Sequence, residues 1–412
     1  MNDLLYLVHR IPYPPNKGDK IRSFHLLRHL ARRHRVHLGA FVDDPADWAQ
    51  APALREWVRG ELCLRPLTRP RALLRSLTGF VTGEPLSLPY YRDGPMQRWV
   101  EARLAAGVGQ VLVYSSSMAP YVLAHDGLRR VIDFVDIDSD KWRQYAARRP
   151  WPLSVLYRRE AYRLFAFERQ VALSFDAATF VSETEAALFC RLAPEVAAHV
   201  SAFSNGVDTD YFSPAEAGAN PYPAGTQALV FTGAMDYWAN VDAVCWFASQ
   251  VWPSLHARHP AVVFYIVGAR PTPAVQALAR QPGVVVTGSV PDVRPWLAHA
   301  QAAVAPLRIA RGIQNKVLEA MAMARATVVS PQALEGIRAR PDEEVVVAEG
   351  AAEFLARLGE LLDDPARATA IGQRARARVL TDYGWDVHLA RVDALLTGAQ
   401  TDSSHQKCEA QV

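Results

Sequence analysis

The sequence RIARGIQNKVLEAMAMARATVVSP, residues 308–331, joins a loop to a short helix and a buried strand. Asn315 is a good N-cap residue, and the good helix formers of residues 317–324 follow it. The β-branched run at residues 327–329 then predicts a buried strand. A loop–helix–strand unit of this kind is typical of an α/β protein.

The predicted helix carries an amide, a cation and a carboxylate on one face. Lys316 lies three residues before Glu319 and Asn315 lies four before it, so the three side chains are neighbours. The helix N-terminus and Lys316 favour an anion, while Glu319 can accept hydrogen bonds from adjacent hydroxyls such as those of a ribose. The alternative interpretation is an ordinary capped helix with a solvated Lys–Glu pair.

The length and composition are those of a soluble protein with two or more domains. The chain has 412 residues, of which 50% are hydrophobic and 21% are charged. It contains no uncharged apolar run of about 18 residues or more, so no transmembrane helix is expected. The apolar run after Asp3 is too short for a signal peptide, and we therefore expect a cytoplasmic protein.

Charge is divided unequally between the two halves of the chain. Residues 1–205 contain 28 Lys and Arg against 21 Asp and Glu, and residues 206–412 contain 17 against 21. The basic first half predicts an anionic partner, but its excess is too small and too dispersed to indicate a nucleic acid. The four cysteines are far apart and predict neither a metal site nor a disulfide framework.

Strands and helices alternate along the chain, with one interruption. Strands are predicted at residues 3–8, 36–42, 110–114, 130–135, 177–181, 228–232, 262–267, 284–287, 302–305 and 327–329. Residues 213–226 are rich in Pro, Gly and Ala, as linkers are. The predicted organisation is a βα domain at 1–205, a linker at 206–226, a second βα domain at 227–384, a C-terminal helix at 385–397 and a disordered tail at 398–412.

Glycines occur where parallel strands end, which is where βα domains bind ligands. Gly18, in the loop after the first strand, permits close approach of a ligand, and Lys17 and Lys20 beside it can meet an anion. The alternative is a Pro-stiffened turn with exposed lysines. Three predicted strands of the second domain end at Gly233, Gly268 and Gly288. Two such domains facing each other form a cleft, the usual place for a ligand.

One segment, residues 62–80, is both basic and hydrophobic. It contains Arg65, Arg69, Arg71 and Arg75 among leucines. Such a segment can lie on an anionic membrane surface, which would make the protein peripheral on the inner face of the cytoplasmic membrane. The alternative is that its leucines belong to the core and its arginines are solvated.

Five motifs together resemble the GT-B-fold retaining glycosyltransferases of family 4. They are NGVDTDYFSP (205–214), FTGAMDYWANVDAVCWF (231–247), YIVGARP (265–271), VVVTGSVPDVRPWLAHA (284–300) and NKVLEAMAMARATVVS (315–330). The resemblance covers nearly the whole chain. It is greatest to the exopolysaccharide sugar transferases associated with the PEP-CTERM/exosortase system, and it implies two facing Rossmann-like domains with an interdomain cleft.

The resemblance implies a role for several site residues. Glu319 matches the second glutamate of the family's paired-glutamate motif, which holds the nucleotide ribose. Lys316 and the amides around Gly312 would contact the donor diphosphate, with Gly233 beneath the phosphates. Gly18 matches the glycine-rich loop of the first domain. Asn315 lies beside Lys316, and Val267 and the residues at 289–290, Ser289 and Val290, would flank the base.

The sequence departs from the family pattern at two places. The position of the first motif glutamate is Arg311, eight residues before Glu319. The Arg-and-Lys pair that the family has after the first strand of its second domain is missing, since residues 234–240 read AMDYWAN. Arg311 and Lys316, with Arg308, would have to supply the positive charge instead.

The implied reaction is transfer of a sugar, with retention, from a UDP- or GDP-sugar to a saccharide or lipid-linked saccharide. Cations and a helix N-terminus that stabilise the leaving diphosphate make a metal or other cofactor unnecessary. Asp136 is either a general base or the N-cap of the helix that follows it. Two alternatives are a sugar-nucleotide epimerase and a catalytically silent sugar-nucleotide-binding partner, the second because of Arg311.

Overall fold

A computed structural model describes residues 2–15, 18–147, 149–310 and 313–398. The chain divides into two compact units. The first unit combines the residues up to Ser204 with those from His388 onward, and the second unit is Asn205–Val387. The predicted disordered tail, apart from Gly398, lies outside the described residues.

The first unit is built on a parallel sheet of seven described strands. Their order across the sheet is β3-β2-β1-β4-β5-β6-β7. The strands are β1 Asn2–Val8, β2 His34–Val42, β3 Leu62–Pro66, β4 Gln110–Tyr114, β5 Arg129–Val135, β6 Ala177–Phe180 and β7 Val200–Ala202. The helices are α1 Gly18–Leu30, α2 Ala51–Leu54, α3 Arg69–Ser76, α4 Thr78–Thr82, α5 Ser87–Tyr90, α6 Gly94–Ala105, α7 Asp138–Ala147, α8 Leu153–Ser174 and α9 Glu183–Leu192.

The second unit repeats this architecture with six described strands, all parallel. Their order is β10-β9-β8-β11-β12-β13. The strands are β8 Gln227–Thr232, β9 Val262–Val267, β10 Val284–Gly288, β11 Ala302–Ala305, β12 Thr327–Val329 and β13 Val346–Val347. The helices are α10 Trp238–Gln250, α11 Trp252–Arg258, α12 Pro273–Leu278, α13 Arg294–Ala298, α14 Asn315–Ala322, α15 Pro331–Leu334, α16 Gly350–Asp363 and α17 Pro365–Asp382. Short 3₁₀ turns at Pro45–Gln50, Ser116–Tyr121, Pro194–Val196 and Pro214–Glu216 complete the connections.

The predicted α/β class is confirmed, and its physical cause is the near-continuous apolar character of the strands. In β1, residues 4–8 are all buried, and β6 and β11 are buried throughout. Strands of this kind are typical of parallel sheets, in which βαβ crossovers place helices on both faces. Each unit therefore has its own apolar core around its sheet.

A buried ion pair ties α1 to the sheet of the first unit. The Arg22 guanidinium donates from Nε to Asp133 Oδ2 over 2.7 Å and from Nη2 to Oδ1 over 3.2 Å. It also lies 3.8 Å from the centre of the Phe203 ring and donates to the carbonyl of that residue. Two-point contact with a carboxylate and stacking on a ring satisfy a charge that would otherwise be costly to bury.

The last helix of the chain, α18 (Trp385–Thr397), contributes to the first unit from His388 onward. Asp393 accepts a hydrogen bond of 2.9 Å from His29 Nε2 and also pairs with Arg33. Arg129 Nε donates to the carbonyl of Leu395 over 3.0 Å. The first unit is therefore formed from both ends of the chain.

The hypothesis that residues 62–80 form one surface segment holds for only part of this range. Leu62–Pro66 forms β3 at the edge of the sheet, and Leu67 is buried in the core. Arg65 is bound to Asp93, with 2.8 Å between Nε and Oδ1. Only the part from Arg69 onward is helical and largely exposed. Among the described residues, no helix has the length and apolar character needed to cross a bilayer.

Candidate functional site

The helix α14 begins at Asn315, so the prediction that Asn315 is its N-cap is wrong by one residue. Gln314 holds the N-cap position with extended dihedral angles, φ −89° and ψ 100°. Its side chain makes no capping hydrogen bond. The Gln314 side chain therefore does not cap the amides of the first turn, and the N-terminus of a helix favours an anion.

Lys316 is held in one position by contacts that lie on other elements. Its Nζ donates to Asn240 Oδ1 over 2.5 Å and lies 5.1 Å from the centre of the Phe231 ring. The Asn240 amide is itself fixed, because Nδ2 donates to the carbonyl of Ala234 over 2.9 Å. Burial lowers the pKa of Lys316 to about 8, against the opposing effect of Glu319. Lys316 is therefore a preorganised cation that loses its proton easily.

Glu319, one turn further along α14, is half-buried, and its carboxylate makes no hydrogen bond to any other described residue. Burial raises the pKa of Glu319 to about 7, although Lys316 opposes the shift. A perturbed pKa of this kind is common at functional sites. The carboxylate has room in its hydrogen-bonding shell for hydroxyl donors.

Two glycines bring the ends of β8 and β9 close to each other and to Lys316. A Cβ atom added to Gly233 would lie 2.7 Å from Asn240 Nδ2 and 3.4 Å from Lys316 Cε. A Cβ atom added to Gly268 would lie 1.6 Å from the carbonyl oxygen of Gly233, which no structure tolerates. The strand ends therefore form a glycine surface beside the lysine, with no room for side chains at Gly233 and Gly268.

The neighbouring arginines are engaged in ion pairs. Arg308, considered as a substitute cation, donates from Nε to Asp242 Oδ2 over 2.9 Å and from Nη2 to the other carboxylate oxygen. Arg270 Nε similarly donates to Asp236 Oδ2 over 2.5 Å. Of the cations that the sequence analysis proposed, Lys316 therefore supplies charge at the glycine surface, whereas Arg308 is neutralised. Arg311 and Gly312 lie outside the described residues.

The predicted base-flanking residues pack beside the face of α14 that carries Lys316 and Glu319. Val290 is half-buried and packs against an apolar cluster that includes Ala320 of α14 and Met323, the residue after the helix. Val267 belongs to the same cluster, together with Tyr265. Helix α14 thus presents Lys316 and Glu319 on one face and packs its apolar face onto the sheet.

The predicted site residues of the first unit differ in their surroundings. Gly18 is the first residue of α1, and a Cβ atom added there would meet nothing within 4 Å. Lys20 is buried and bound to Asp47, 2.6 Å from Nζ to Oδ2, so the expectation that it meets an anion is wrong. Lys17 lies outside the described residues.

Asp136 is not an N-cap. Lys141 Nζ donates to Asp136 Oδ2 over 2.8 Å. The first turn of α7 is instead capped by the buried Glu168, which accepts from Ser139 N over 3.2 Å. Burial raises the pKa of Glu168 to about 8. A general-base role for Asp136 would require separation of its ion pair with Lys141.

The structure adds two features that sequence reasoning did not identify. One is Asn240, whose contact with Lys316 joins residues 76 positions apart. Its only signal in the sequence is its place in the first turn after the Gly233 loop. The other is a pocket of about 370 Å³ in the first unit, lined by Leu88, Tyr91, Arg92, Asp93, Gly94, Gln97, Ser117, Pro120 and Tyr121.

In the part of the chain that the structure describes, no three His, Cys, Asp or Glu side chains are placed to hold a metal ion.

Comparison with known proteins agrees with this architecture. Residues 226–364 match the sequence family described as glycosyl transferases group 1. No curated protein matches the chain in sequence. The structure is similar to that of sucrose-phosphate synthase from Thermosynechococcus elongatus, with a TM-score of 0.65 and 17% identity over 97% of this chain and 99% of that one.

Two further solved structures are similar to that of this chain. HepE from Anabaena in complex with UDP-glucose has a TM-score of 0.63 and 12% identity over 97% of this chain and 100% of that one. WaaG, a glycosyltransferase involved in lipopolysaccharide biosynthesis, has a TM-score of 0.60 and 16% identity over 96% of this chain and 100% of that one. At such identities the likeness establishes the fold. The chain therefore has the two-domain α/β fold of the GT-B glycosyltransferases, and its residues 226–364 match a glycosyltransferase family.

Proposed function

We propose that the protein is a retaining glycosyltransferase of family 4. It transfers a sugar from a nucleotide-diphosphate sugar, a UDP- or GDP-sugar, to a saccharide or lipid-linked saccharide. The observation that carries this proposal is the pairing of Lys316 and Glu319 on the first turns of α14, beside Gly233 at the end of β8. A cation and a hydroxyl acceptor one helical turn apart match a diphosphate joined to a ribose.

Each part of the donor has a chemical counterpart in this site. The diphosphate lies at the N-terminus of α14, where the helix dipole and Lys316 meet its negative charge. Gly233 leaves the room that the Asn240 amide needs to hold Lys316 at the end of β8, where the phosphates would bind. The ribose donates two hydroxyl hydrogen bonds to Glu319, and bonds to an ionised carboxylate are stronger than those to a neutral acceptor.

The proposed chemistry uses this charge on the leaving group. The bond between the anomeric carbon and the β-phosphate oxygen breaks, and the electron pair stays with the nucleoside diphosphate. The acceptor hydroxyl forms the new bond on the same face of the sugar and gives its proton to the departing phosphate oxygen. Lys316 stabilises the charge that develops on that phosphate, and we propose that no metal or organic cofactor takes part.

The acceptor is proposed to bind the pocket of the first unit that Tyr91, Ser117 and Tyr121 line. Tyrosine rings and hydroxyl groups suit a saccharide, which presents both apolar faces and hydroxyls. The pocket volume of about 370 Å³ suits a small ligand. A role in exopolysaccharide synthesis, within the PEP-CTERM/exosortase-associated subgroup, is supported by the order of the five motifs in the sequence.

Arg311, at the position of the family's first motif glutamate, favours a second candidate, a protein that binds the donor without transferring it. The first experiment is a thermal-shift screen of UDP-, GDP- and ADP-sugars, with the free sugars as controls. A donor present at about 100 times its dissociation constant adds about 2.7 kcal/mol to the free energy of unfolding. The donor so identified is then supplied with lipid-linked saccharides. Binding without transfer or hydrolysis would favour the second candidate, and binding of none of the donors would contradict both.

Replacing Glu319 by Gln is expected to weaken donor binding about tenfold to a hundredfold at pH 8, because a neutral amide accepts weaker hydrogen bonds than a carboxylate. The pKa of Glu319 is about 7 in the free protein, so at pH 6 the wild-type side chain is mostly protonated and the difference should shrink. The measurement is isothermal titration at both pH values. Glu335→Gln, an exposed change in the same unit, is the control. A loss that is independent of pH would contradict the assigned role.

A further inference from the structure

Five large apolar side chains are exposed on α3, α4 and the residue between them. The exposed fractions are 53% for Leu73, 69% for Leu74, 54% for Leu77, 51% for Phe80 and 90% for Val81. In a folded unit with an apolar core of its own, such a concentration on one short segment indicates an interaction surface.

These side chains form one stripe. Leu77, between the two helices, has helical dihedral angles of −61° and −24°, so the helical path continues from α3 into α4. At about 100° per residue, the five apolar positions fall within an arc of about 120°. Ala72 and Ser76 lie on a different side of the helix and are buried. The stripe therefore faces away from the core.

Positive charge flanks the stripe. Arg69 and Arg71 are exposed, and neither forms a hydrogen bond or ion pair with any described residue. No acidic residue occurs between Leu62 and Gly83. Arg75, by contrast, donates to the carbonyl of Tyr90 over 3.1 Å. Two unneutralised guanidinium groups beside an apolar stripe complement a surface that is anionic outside and apolar beneath.

The neighbouring helix α8 extends the same surface. Arg159 lies 5.0 Å from the centre of the Phe80 ring and donates to the carbonyls of Gly79 and Glu84. Val155 and Tyr162, one helical turn to either side of Arg159, are 54% and 73% exposed. Val155 and Tyr162 are thus neighbours, along α8, of the arginine that contacts α4.

We infer that this surface, formed by residues 69–82 with Val155 and Tyr162, docks the first unit on an anionic lipid bilayer. The leucines, Phe80 and Val81 enter the interface between headgroups and acyl chains, and Arg69 and Arg71 contact the lipid phosphates. Tyrosine at the edge of such a surface is suited to the headgroup layer. The inference is independent of the proposed transfer reaction, since it concerns binding to lipid alone.

The first test measures co-sedimentation of the full-length protein with vesicles of phosphatidylcholine and phosphatidylglycerol. The variant Leu74→Ser/Leu77→Ser/Val81→Ser should bind about tenfold or more weakly, because it removes the inserted apolar area. Leu173→Ser/Leu192→Ser is the matched control, since both leucines are 46% exposed elsewhere in the same unit. The control should bind like the wild type, and all variants should keep the wild-type circular dichroism.

The second test isolates the charge. Arg69→Gln/Arg71→Gln should bind the same vesicles about 30-fold more weakly at low salt, since each arginine near an anionic surface contributes about 1 kcal/mol. Arg98→Gln/Arg191→Gln, which changes two exposed arginines elsewhere in the unit, is the control. Added salt should reduce wild-type binding, and vesicles of phosphatidylcholine alone should bind it weakly.

Three results would overturn the inference. One is wild-type binding by both the serine and the glutamine variants, and another is absence of vesicle binding by the wild-type protein. The third is a wild-type dimer that the serine variant converts to a monomer without any effect on lipid binding, which would assign the surface to a second copy of the chain. Because donor binding is measured separately, none of these results bears on the proposed transferase function.

Discussion

Replacing Lys316 by Ala is expected to lower the turnover number for sugar transfer about 10²-fold to 10³-fold, with a smaller loss of donor affinity. Removing one preorganised donor to developing negative charge has an effect of this size. The charge on the leaving diphosphate grows in the transition state, so Lys316 stabilises that state more than the bound donor. Steady-state kinetics and calorimetric titration of the same variant separate the two quantities.

Two further measurements test the role of Lys316, one through its contact with Asn240 and one through its pKa. Asn240→Ala removes the group that orients Lys316 Nζ and should lower turnover by an intermediate factor. Burial lowers the pKa of Lys316 in the free protein to about 8, so wild-type kcat/KM should fall as the pH rises above 8 and the ammonium loses its proton. Equal losses of turnover and affinity in Lys316→Ala would contradict a transition-state role and leave a binding role. Retention of full turnover would place the site elsewhere.

Replacing Gly268 by Ala is expected to lower the free energy of unfolding by about 3 kcal/mol or more. The new methyl group would lie 1.6 Å from the carbonyl oxygen of Gly233, so the end of β8 or β9 would have to move. Overpacking against backbone is at the upper end of single-substitution effects, because no side chain can rotate away. Chemical denaturation of the variant, analysed for the second unit, measures the change.

Gly288→Ala is the matched control for the close approach. Gly288 has φ +70°, but a Cβ atom added there meets nothing within 4 Å. Gly288→Ala should lower the free energy of unfolding by only about 1–2 kcal/mol, which is the cost of a left-handed conformation for a residue other than glycine. Similar losses in both variants would show that backbone conformation, and not contact with Gly233, makes glycine necessary at position 268.

The fold was largely predictable because its strands are buried on both faces. Runs such as Leu4–Val8 and Val262–Val267 are almost wholly apolar. Such a run can be recognised in the sequence without knowledge of the packing. Strand β3 was missed because Arg65 and Pro66 interrupt its five residues, and it is an edge strand that needs less apolar character. Strand β13 has only two residues, too few for any periodic signal.

The candidate site was predictable only where neighbours in sequence are neighbours in space. Helical spacing places Lys316 and Glu319 on one face of α14. The partners of charged residues from distant elements were not accessible in this way. Lys20 was expected to meet an anion, and its neutralisation by Asp47 depends on how the loop after β2 folds back. Asn240 was missed for the same reason, since its contact with Lys316 exists only once α10 and α14 have packed.

The two ends of the second unit lie next to each other. Val207 N donates to the carbonyl of Tyr383 over 2.7 Å, and Val207 forms a parallel bridge with Gly384. Asn205–Val387 is thus an insertion within the first unit, and its two ends adjoin. On the ribosome, the whole insertion is translated before the residues from His388 onward, which carry the partner of His29. The unit whose synthesis starts first is therefore the last to be completed, and a nascent chain that stalls near its end presents a finished second unit beside an unfinished first one.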